Sequence, residues 1–254
     1  MSSYLKLAID TAVLAGAEIL KIYETDFVVD QKEDHSPLTQ ADRSAHLKIL
    51  SHLGQTPFPI LSEEGKHLSF EERKKWNLFW LVDPLDGTKE FVKRNGEFTV
   101  NIALIEKGIP IIGVIYVPVT DTLYVGSEKG AFKYEKFTST KSEPQKLPLP
   151  KGDRPYTIVG SRSHMSSETE IFFDEKKKKY GNVNVLAVGS SLKLCMVAEG
   201  KADAYPRYAP TMEWDTGAGH AIALAAGFSV KKFDSNENLC YNKENLTNPW
   251  FLVS

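Results

Sequence analysis

The chain has 254 residues, 42% hydrophobic and 25% charged, a composition typical of a globular protein with one large domain or two coupled smaller ones. Its 31 basic and 33 acidic residues give a net charge of −2, which excludes a whole-protein field that could hold nucleic acid or a membrane surface. Its two cysteines, Cys195 and Cys240, exclude a disulfide scaffold or a cysteine-rich metal site, and we expect both to lie in apolar surroundings.

The N-terminal segment predicts an amphipathic helix rather than a targeting sequence. Its apolar residues recur at helical spacing: Leu5, Ile9, Ala12, Val13, Gly16, Ile19 and Ile22. It lacks the basic start, apolar block and cleavage site of a signal peptide. No apolar run reaches the length of about 18 residues that a spanning helix needs. We therefore expect a cytoplasmic protein without a membrane span, and leave open a peripheral attachment to the inner membrane face.

A second helix is predicted after Pro37, in SPLTQADRSAHLKILSHL, where Thr39 and Asp42 have the spacing of a capping box. PFPILSEEG then predicts a short strand that ends at Glu63 and Glu64, and FWLVDP a strand buried on both faces. FTVNIALIEKG, IPIIGVIYVPV and TLYVGSEKGAFKYE predict a meander of strands joined by tight turns.

The stretch from Thr138 to Pro155 is rich in Ser, Lys and Pro and predicts a connection between domains. Beyond it, strands and helices alternate, which is typical of an α/β fold. The strands are YTIVGS, VNVLAVG and ADAYP, and the helices are SETEIFFDEKKKKY, SLKLCMVAEG and WDTGAGHAIALAAG.

In LVDPLDGTKEF, Asp83 and Asp86 lie three positions apart around a proline and just before a glycine. Asp-Pro and Asp-Gly are common turn dipeptides, so a simple strand exit is one interpretation. Further carboxylates follow apolar elements or begin helices: Asp42, Glu63, Glu64 and Asp215. Several acids cannot gather unpaired in one cleft without raising one another's pKa. A divalent cation resolves that repulsion, and hard oxygen ligands favour Mg²⁺.

The blocks SEEG, LVDPLDGTKEF and EWDTGAGHAIALAAG resemble the inositol monophosphatase superfamily of Mg²⁺-dependent, lithium-sensitive phosphatases. A lone DxxDG is a weak signal, but the three blocks keep the family's order and separation, and the resemblance extends from SPLTQAD to AAG. It implies an α/β fold, the layered αβαβα sandwich of sugar phosphatases. We expect an α+β metal-binding part at residues 1–138, a linker at 139–155 and an α/β substrate-binding part at 156–254.

Within the superfamily, DPLDGTKEFVKRNGEFTVNIALI, GSRSH, GSSLKLCMVAEGKADAYPR and WDTGAGHA look most like the CysQ-type 3'(2'),5'-bisphosphate nucleotidases. These are implied to remove the 3'-phosphate of adenosine 3',5'-bisphosphate, giving AMP and clearing a by-product of sulfate activation. Inositol monophosphatases usually have a threonine or asparagine after DGT and an inositol-binding acid upstream of WD. Lys89 and Arg207 stand in those neighbourhoods here, and positive charge suits a second phosphate better than a hydroxyl.

The resemblance also implies two or three Mg²⁺ ions. It assigns Glu63, Asp83 and the backbone carbonyl of Leu85 to one ion. It assigns Asp83, Asp86 and Asp215 to a second ion, with Asp83 bridging the two. An ordinary helix N-cap is the alternative role for Asp215.

The Thr88 hydroxyl and Asp42 resemble the pair that orients and deprotonates the attacking water. The alternative role of Asp42 is the capping box, and both roles can hold at once. We expect Gly87 and Thr88 to present backbone N–H groups to the phosphate. The family's nucleotide-contacting positions correspond here to Ser161, His164, Gly189 and Lys193.

Alternatives remain for several of these positions. Ser163 or Ser190 could cap helices, His164 could lie on the surface, Lys193 could be a solvated helix position, and Arg207 could be an exposed residue stacked on a neighbouring tyrosine ring. Glu64 and Glu213 are expected to lie behind the site without a ligand role.

We expect the partner to be a small-molecule nucleotide bisphosphate, not a nucleic acid polymer, and leave the oligomeric state open. An inositol or other sugar monophosphatase with the same metal site is the first alternative. A non-catalytic sensor of nucleotide bisphosphates is the second, although a sensor has little need of a water-activating pair.

Overall fold

The computed structural model describes residues 3–31, 37–140, 142–160 and 166–254. The helices are α1 (Ser3–Tyr23), α2 (Gln40–Leu53), α3 (Phe70–Arg73), α4 (Thr88–Val92), α5 (Ser167–Tyr180), α6 (Leu192–Ala198) and α7 (Glu213–Ala225). The strands are β1 (Val29–Gln31), β2 (Pro37–Thr39), β3 (Ile60–Ser62), β4 (Leu78–Asp86), β5 (Thr99–Glu106), β6 (Ile109–Val117), β7 (Thr122–Ser127), β8 (Gly130–Tyr134), β9 (Gln145–Leu147), β10 (Tyr156–Val159), β11 (Val183–Leu186), β12 (Tyr205–Arg207), β13 (Val230–Lys232) and β14 (Phe251–Val253).

A seven-stranded sheet in the order β3-β4-β5-β6-β7-β8-β9 forms the centre of the molecule. β3 pairs parallel to β4, and every later pair is antiparallel, so the predicted meander is confirmed. Its turns use positive φ angles at Lys107 (48°), Gly108 (78°) and Asp121 (51°), which tight hairpin connections require. β4 is buried along nearly all its length, as expected for a strand covered on both faces.

Helices cover both faces of this sheet. α1 and α2 pack together on one face, and α7 lies along β5, β6 and β7 on the other with α6 beside it. The approach of α7 is very close, because a Cβ atom added at Gly113 would lie 2.2 Å from the Ala218 carbonyl oxygen, and one at Gly126 would lie 2.5 Å from Ile222 Cα. Glycine at these two strand positions therefore fixes the depth of the helix that carries Asp215.

Two small sheets form the next layer: the parallel pair β10-β11 and the antiparallel sheet β12-β14-β13. α6 contacts β10 and β12, α7 contacts β13, and α5 packs against β10, β11 and β12 from the outside. The order of layers is therefore helices, large sheet, helices, small sheets and helix, and the predicted αβαβα sandwich is confirmed.

The segment predicted as a linker contributes β9, which pairs with β8 at the edge of the large sheet. Leu149 N also donates to the Glu199 carbonyl, 3.0 Å away, so the segment is attached both to the large sheet and to the end of α6. The domain boundaries themselves stay a prediction. Of the two cysteines, Cys195 is buried as expected, but Cys240 is exposed, so the expectation of apolar surroundings was wrong for Cys240. Within the described ranges, no helix combines the length and apolarity needed to cross a bilayer.

Candidate active site

Two adjacent parallel strands of the central sheet and the start of a helix bring acidic side chains together. Glu63 follows the last residue of β3, and its N–H donates to the Val82 carbonyl of β4, 3.2 Å away. Asp83 lies on β4, and Asp215 is in the first turn of α7. One carboxylate oxygen from each of Glu63, Asp83 and Asp215 lies within 4.8 Å of the other two. Residues separated by more than half the length of the chain thus meet at one point.

The DPLDG turn explains how the side chains of Asp83 and Asp86, two aspartates of one strand, lie close to each other. The pairing of β4 with β5 is regular up to Asp83 and shifts register before Asp86. Within the bulge, Leu85 N donates to Asp83 Oδ1 at 3.0 Å. Gly87 follows with a φ of 91°, a conformation that favours glycine, and α4 begins directly after it. The turn interpretation of this motif is therefore correct, and the turn is also what aims the carboxylates.

The acidic cluster is electrostatically costly. Burial, followed by repulsion from the neighbouring carboxylates, raises the pKa of Asp83 well above its usual range. Burial and the nearby Asp86 raise the pKa of Asp215 to about 8. Burial also raises the pKa of Asp86, to about 6, although Lys193 and the Ser191 N–H partly offset the effect.

The donor set fits a hard divalent cation. Glu63, Asp83 and Asp215 offer only carboxylate oxygens, within the reach of one ion, and those of Asp83 and Asp215 are held where burial disfavours their ionised forms. A cation of charge +2 would remove that cost, which is the chemical reason to expect Mg²⁺ here. Asp86 lies beside the three and influences the pKa of both Asp83 and Asp215. Its Oδ2 accepts from Ser191 N at 2.5 Å and from Asn101 Nδ2 at 3.4 Å.

Thr88 and Asp42 meet at the edge of the acidic cluster. The Thr88 hydroxyl donates to Asp42 Oδ1 at 3.3 Å and also lies 3.4 Å from the Leu85 carbonyl. Asp42 Oδ2 accepts from Thr39 N at 2.8 Å and Thr39 Oγ1 at 2.7 Å, which completes the predicted capping box of α2. The two interpretations of Asp42 are therefore compatible, because one carboxylate oxygen caps the helix and the other faces Thr88.

Asp215 differs from the helix N-cap considered above. The N-cap of α7 is Met212, and Asp215 is the third residue of the helix. Its Oδ2 accepts from Met212 N at 2.8 Å. That alternative was wrong in position, although Asp215 does receive an N–H donor at the start of the helix.

A small cleft of about 90 Å³ opens beside the acidic cluster. Its lining includes Asp86, Ser190, Lys193, Arg207 and Asp215. Carboxylates and two cationic side chains thus share one cavity, as the predicted binding of a phosphorylated ligand requires.

The predicted substrate-binding residues in this cleft are held by local contacts. Lys193 Nζ donates to the Ser190 carbonyl at 3.2 Å, and Arg207 Nη2 donates to the Pro210 carbonyl at 3.0 Å. Both side chains are half-buried, so the alternatives of a solvated Lys193 and an exposed Arg207 were wrong. A Cβ atom at Gly87 would lie 3.1 Å from Ser190 Cβ, which places the turn at Gly87 against the turn that precedes α6.

That turn is anchored to the chain before β5. Gly189 N donates to Glu97 Oε2 at 2.7 Å, and Ser190 Oγ donates to the Glu97 carbonyl at 2.8 Å. Ser190 therefore does not cap α6, whose N-cap residue is Ser191. Ser161, Ser163 and His164 lie outside the described residues, so their predicted roles stay predictions.

A model of the inositol monophosphatase family matches residues 1–250. This chain belongs to the inositol monophosphatase family. The 3'(2'),5'-bisphosphate nucleotidases CysQ of Salmonella typhimurium and of Escherichia coli K12 are each 45% identical to it over 244 residues, covering 94% of this chain and 95% of the relative. A crystal structure of CysQ from Bacteroides thetaiotaomicron is 50% identical, covers 99% of this chain and 97% of that one, and superposes with a TM-score of 0.90.

The sequence interpretation missed several residues of this family member's site. Thr99, Asn101 and Ser191 are buried and linked by hydrogen bonds behind Asp86. A polar residue in the apolar run TVNIAL was a usable signal, because a buried amide needs partners.

Glu213 has a structural role at the start of α7. It is fully buried, and its carboxylate accepts from Asn242 N at 2.6 Å, Lys243 N at 3.0 Å and Lys243 Nζ at 2.5 Å. It therefore fastens the C-terminal segment of this inositol monophosphatase family member to the start of α7. Glu64, which shared the same expectation, is half-buried directly after Glu63.

Proposed function

We propose that this protein is a Mg²⁺-dependent 3'(2'),5'-bisphosphate nucleotidase that hydrolyses the 3'-phosphate of adenosine 3',5'-bisphosphate to AMP and phosphate. The observation that carries the proposal is the meeting of Glu63, Asp83 and Asp215 within reach of one cation. Relatives that are 45% identical over nearly their whole length carry this nucleotidase name, which supports the choice of substrate class.

The residues that would hold Mg²⁺ are Glu63, Asp83, Asp86, Asp215 and the carbonyl of Leu85. When bound, Mg²⁺ polarises a phosphoryl group, lowers the pKa of a coordinated water and stabilises the leaving oxygen. Two or three ions stay the expectation, and the proposed bridging role belongs to Asp83, the most buried of the four acids.

Thr88 and Asp42 would position the attacking water and receive its proton. The Thr88 hydroxyl already donates to Asp42 Oδ1, so its oxygen can accept a hydrogen bond from a water on its other side. Asp42 is 1% exposed and held by Thr39, so its free rotation is small. Gly87 and Thr88 would offer backbone N–H groups to the phosphate, because Gly87 leaves room for close approach at the start of α4.

Lys193 and Arg207 would bind the phosphate that is not transferred. Both line the cleft beside Asp86 and Asp215, and among the described residues neither donates a hydrogen bond to a carboxylate. A second phosphate supplies the acceptors that their N–H donors need, and Arg can bind it through two parallel hydrogen bonds.

A comparison of two substrates tests the proposal. We expect phosphate release from adenosine 3',5'-bisphosphate to have a much higher kcat/KM than release from inositol 1-phosphate, measured with the same enzyme in Mg²⁺. A marked preference for inositol 1-phosphate would replace the proposal with the sugar monophosphatase alternative.

Asp86→Asn separates an enzyme from a sensor. Because the variant removes a proposed metal ligand, turnover should disappear in an enzyme. Retained binding of adenosine 3',5'-bisphosphate together with an unchanged physiological effect would favour the sensor. The cytoplasmic location stays a prediction, and no prediction is made for the oligomeric state or for attachment to the inner membrane face.

A further inference from the structure

Two buried polar side chains, Thr99 and Asn101, stand in the mainly apolar strand β5, directly behind the acidic cluster. Thr99 is 0% exposed and Asn101 is 1% exposed. In the ladder with β4, Thr99 lies opposite Asp86 and Asn101 lies opposite Asp83, with the β-bulge between the two pairs. Because residues two positions apart share a strand face, both side chains are on the same side of the sheet.

Hydrogen bonds fix the orientation of the Asn101 amide. Its Oδ1 accepts from Thr99 Oγ1 at 3.0 Å and from Ser191 Oγ at 2.8 Å, and those two hydroxyl oxygens are themselves 2.8 Å apart. With its oxygen held by two hydroxyl groups, Asn101 turns its Nδ2 towards Asp86 Oδ2, 3.4 Å away. The two hydroxyl groups could donate or accept, but the ionised carboxylate of Asp86 can only accept, so a reversed amide would place the Asn101 oxygen against it.

The same carboxylate oxygen of Asp86 receives a second donor from the other half of the chain. Ser191 N donates to Asp86 Oδ2 at 2.5 Å. Two donors on one oxygen restrict the rotation of the carboxylate and leave its other oxygen available for a cation. Hydrogen-bond partners of this kind usually set both the orientation and the affinity of a metal ligand.

We propose that Asn101 is a positioning residue for Asp86, and that Thr99 and Ser191 hold its amide in place. This inference rests on the proposed Mg²⁺ site. Ser191 belongs to the turn that also carries Gly189 and precedes Lys193, so the polar cluster joins a metal ligand to the substrate-binding turn through one set of hydrogen bonds.

Asn101→Leu tests the role, because leucine has a similar size but offers neither donor nor acceptor. Thr99→Val is a milder variant that removes only one hydroxyl behind the amide. Thr157→Val is the matched control. Thr157 is also a buried threonine in a strand, β10, but its hydroxyl donates to the Pro155 carbonyl at 3.0 Å instead of to the amide of Asn101. For each protein we would measure the Mg²⁺ dissociation constant by calorimetry without substrate, the Mg²⁺ dependence of kcat, and the Tm.

Asn101→Leu should weaken Mg²⁺ binding by about 10- to 100-fold, the usual effect of losing a hydrogen-bond partner of a metal ligand. Excess Mg²⁺ should recover part of its kcat, which a purely structural defect would not allow. Thr99→Val should weaken Mg²⁺ binding less, and Thr157→Val should lower the Tm without changing the Mg²⁺ affinity.

Wild-type Mg²⁺ affinity in a folded Asn101→Leu protein would overturn the inference. If that variant does not fold, Thr99→Val decides, and an effect on Mg²⁺ no larger than that of Thr157→Val overturns it. Failure of the wild-type protein to bind Mg²⁺ would overturn it together with the metal site. Failure to hydrolyse adenosine 3',5'-bisphosphate would refute only the proposed substrate, because the calorimetric comparison does not depend on turnover.

Discussion

The Thr88 hydroxyl lies 3.3 Å from Asp42 Oδ1, although the two residues are 46 positions apart in the chain. The contact exists because two helices begin at the same place: α2 directly after Thr39, and α4 directly after Gly87. The cap of one helix thereby becomes part of the proposed water-binding site, and the two functions of Asp42 can be separated by mutation.

Thr88→Val should lower kcat by a factor on the order of 10² to 10⁴, the usual contribution of a positioned proton-transfer group. Valine has the shape of threonine but cannot hold a water or donate to Asp42. Thr88→Ser keeps the hydroxyl and is the control, for which we expect most of the activity to remain. Steady-state kinetics at saturating Mg²⁺ distinguishes the two, and equal losses in both variants would contradict the role of the hydroxyl.

Thr39→Ala should act on stability rather than on catalysis. It removes the side chain that caps α2 but leaves the contact between Thr88 and Asp42 Oδ1. Loss of a threonine N-cap costs about 1 kcal/mol of the free energy of unfolding. Urea denaturation should show this loss while kcat stays close to the wild-type value. A kcat as low as that of Thr88→Val would mean that the cap and the water-binding site cannot be separated.

Asp215→Asn should have opposite effects on stability with and without metal. Without Mg²⁺, the wild-type protein must keep several acids together in a partly buried cluster, so a neutral asparagine should leave the Tm in EDTA unchanged or raise it. With Mg²⁺, ligand binding should raise the wild-type Tm and raise that of the variant much less. Asparagine can still accept the hydrogen bond from Met212 N, so the start of α7 is retained.

The control for this comparison of Tm values, measured by calorimetry in EDTA and in Mg²⁺, is Asp153→Asn. Asp153 is exposed and lies outside the cluster, so this variant should keep the wild-type response to Mg²⁺. An equal rise in Tm for wild type and Asp215→Asn would exclude Asp215 as a metal ligand.

Lys193→Met should discriminate between substrates with one and two phosphates. Methionine keeps the length of the side chain in the half-buried cleft but removes its charge. A hydrogen bond to a charged group contributes about 1.5–3 kcal/mol, so the KM for adenosine 3',5'-bisphosphate should rise by roughly 10- to 100-fold. The KM for 3'-AMP should change much less. Lys129→Met, at the exposed turn between β7 and β8, is the control, and equal increases for both substrates would place Lys193 at the transferred phosphate instead.

The large elements were predictable because their signals are local, whereas the meeting of Glu63, Asp83 and Asp215 was implied by the family resemblance. Hydrophobic periodicity predicts α1 and the strands of the meander. Pro84 and Gly87 predict the turn in DPLDG. β13 and β14, of three residues each, were not predicted. Their pairing depends on β12, which precedes them by a helix.

The cluster behind Asp86 was missed for a related reason. Asn101 and Ser191 are 90 positions apart, and nothing in either local segment indicates the other. A buried asparagine in a strand predicts that partners exist but does not identify them. Cys240 shows the reverse error, because apolar neighbours along the chain did not make its position a buried one.

His220 allows a prediction for acid stability away from the metal site. It lies on α7, is 1% exposed, and its Nδ1 is 2.9 Å from the Tyr241 hydroxyl. Tyr241 donates its hydroxyl hydrogen to Thr216 Oγ1 at 3.3 Å, so the Tyr241 oxygen can accept a hydrogen bond from the Nδ1–H of a neutral His220. The Nε2 atom of His220 has no hydrogen-bond partner among the described residues. Burial lowers the pKa of His220 to about 3.

The sign of the pH effect follows from proton binding. Between the pKa of about 3 in the folded state and the ordinary value of 6.5, the unfolded chain binds a proton at His220 and the folded protein does not. The free energy of unfolding contributed by this group therefore falls as the pH falls through that window, by up to about 1.4 kcal/mol per pH unit.

His220→Gln removes the titrating group, so its urea-derived free energy of unfolding should decrease less steeply from pH 6 to pH 4. His67→Gln, at an exposed position, is the control and should follow the wild-type slope. Parallel curves for His220→Gln and the wild type would show that His220 takes up its proton without unfolding, and that the interior around α7 can accommodate the charge.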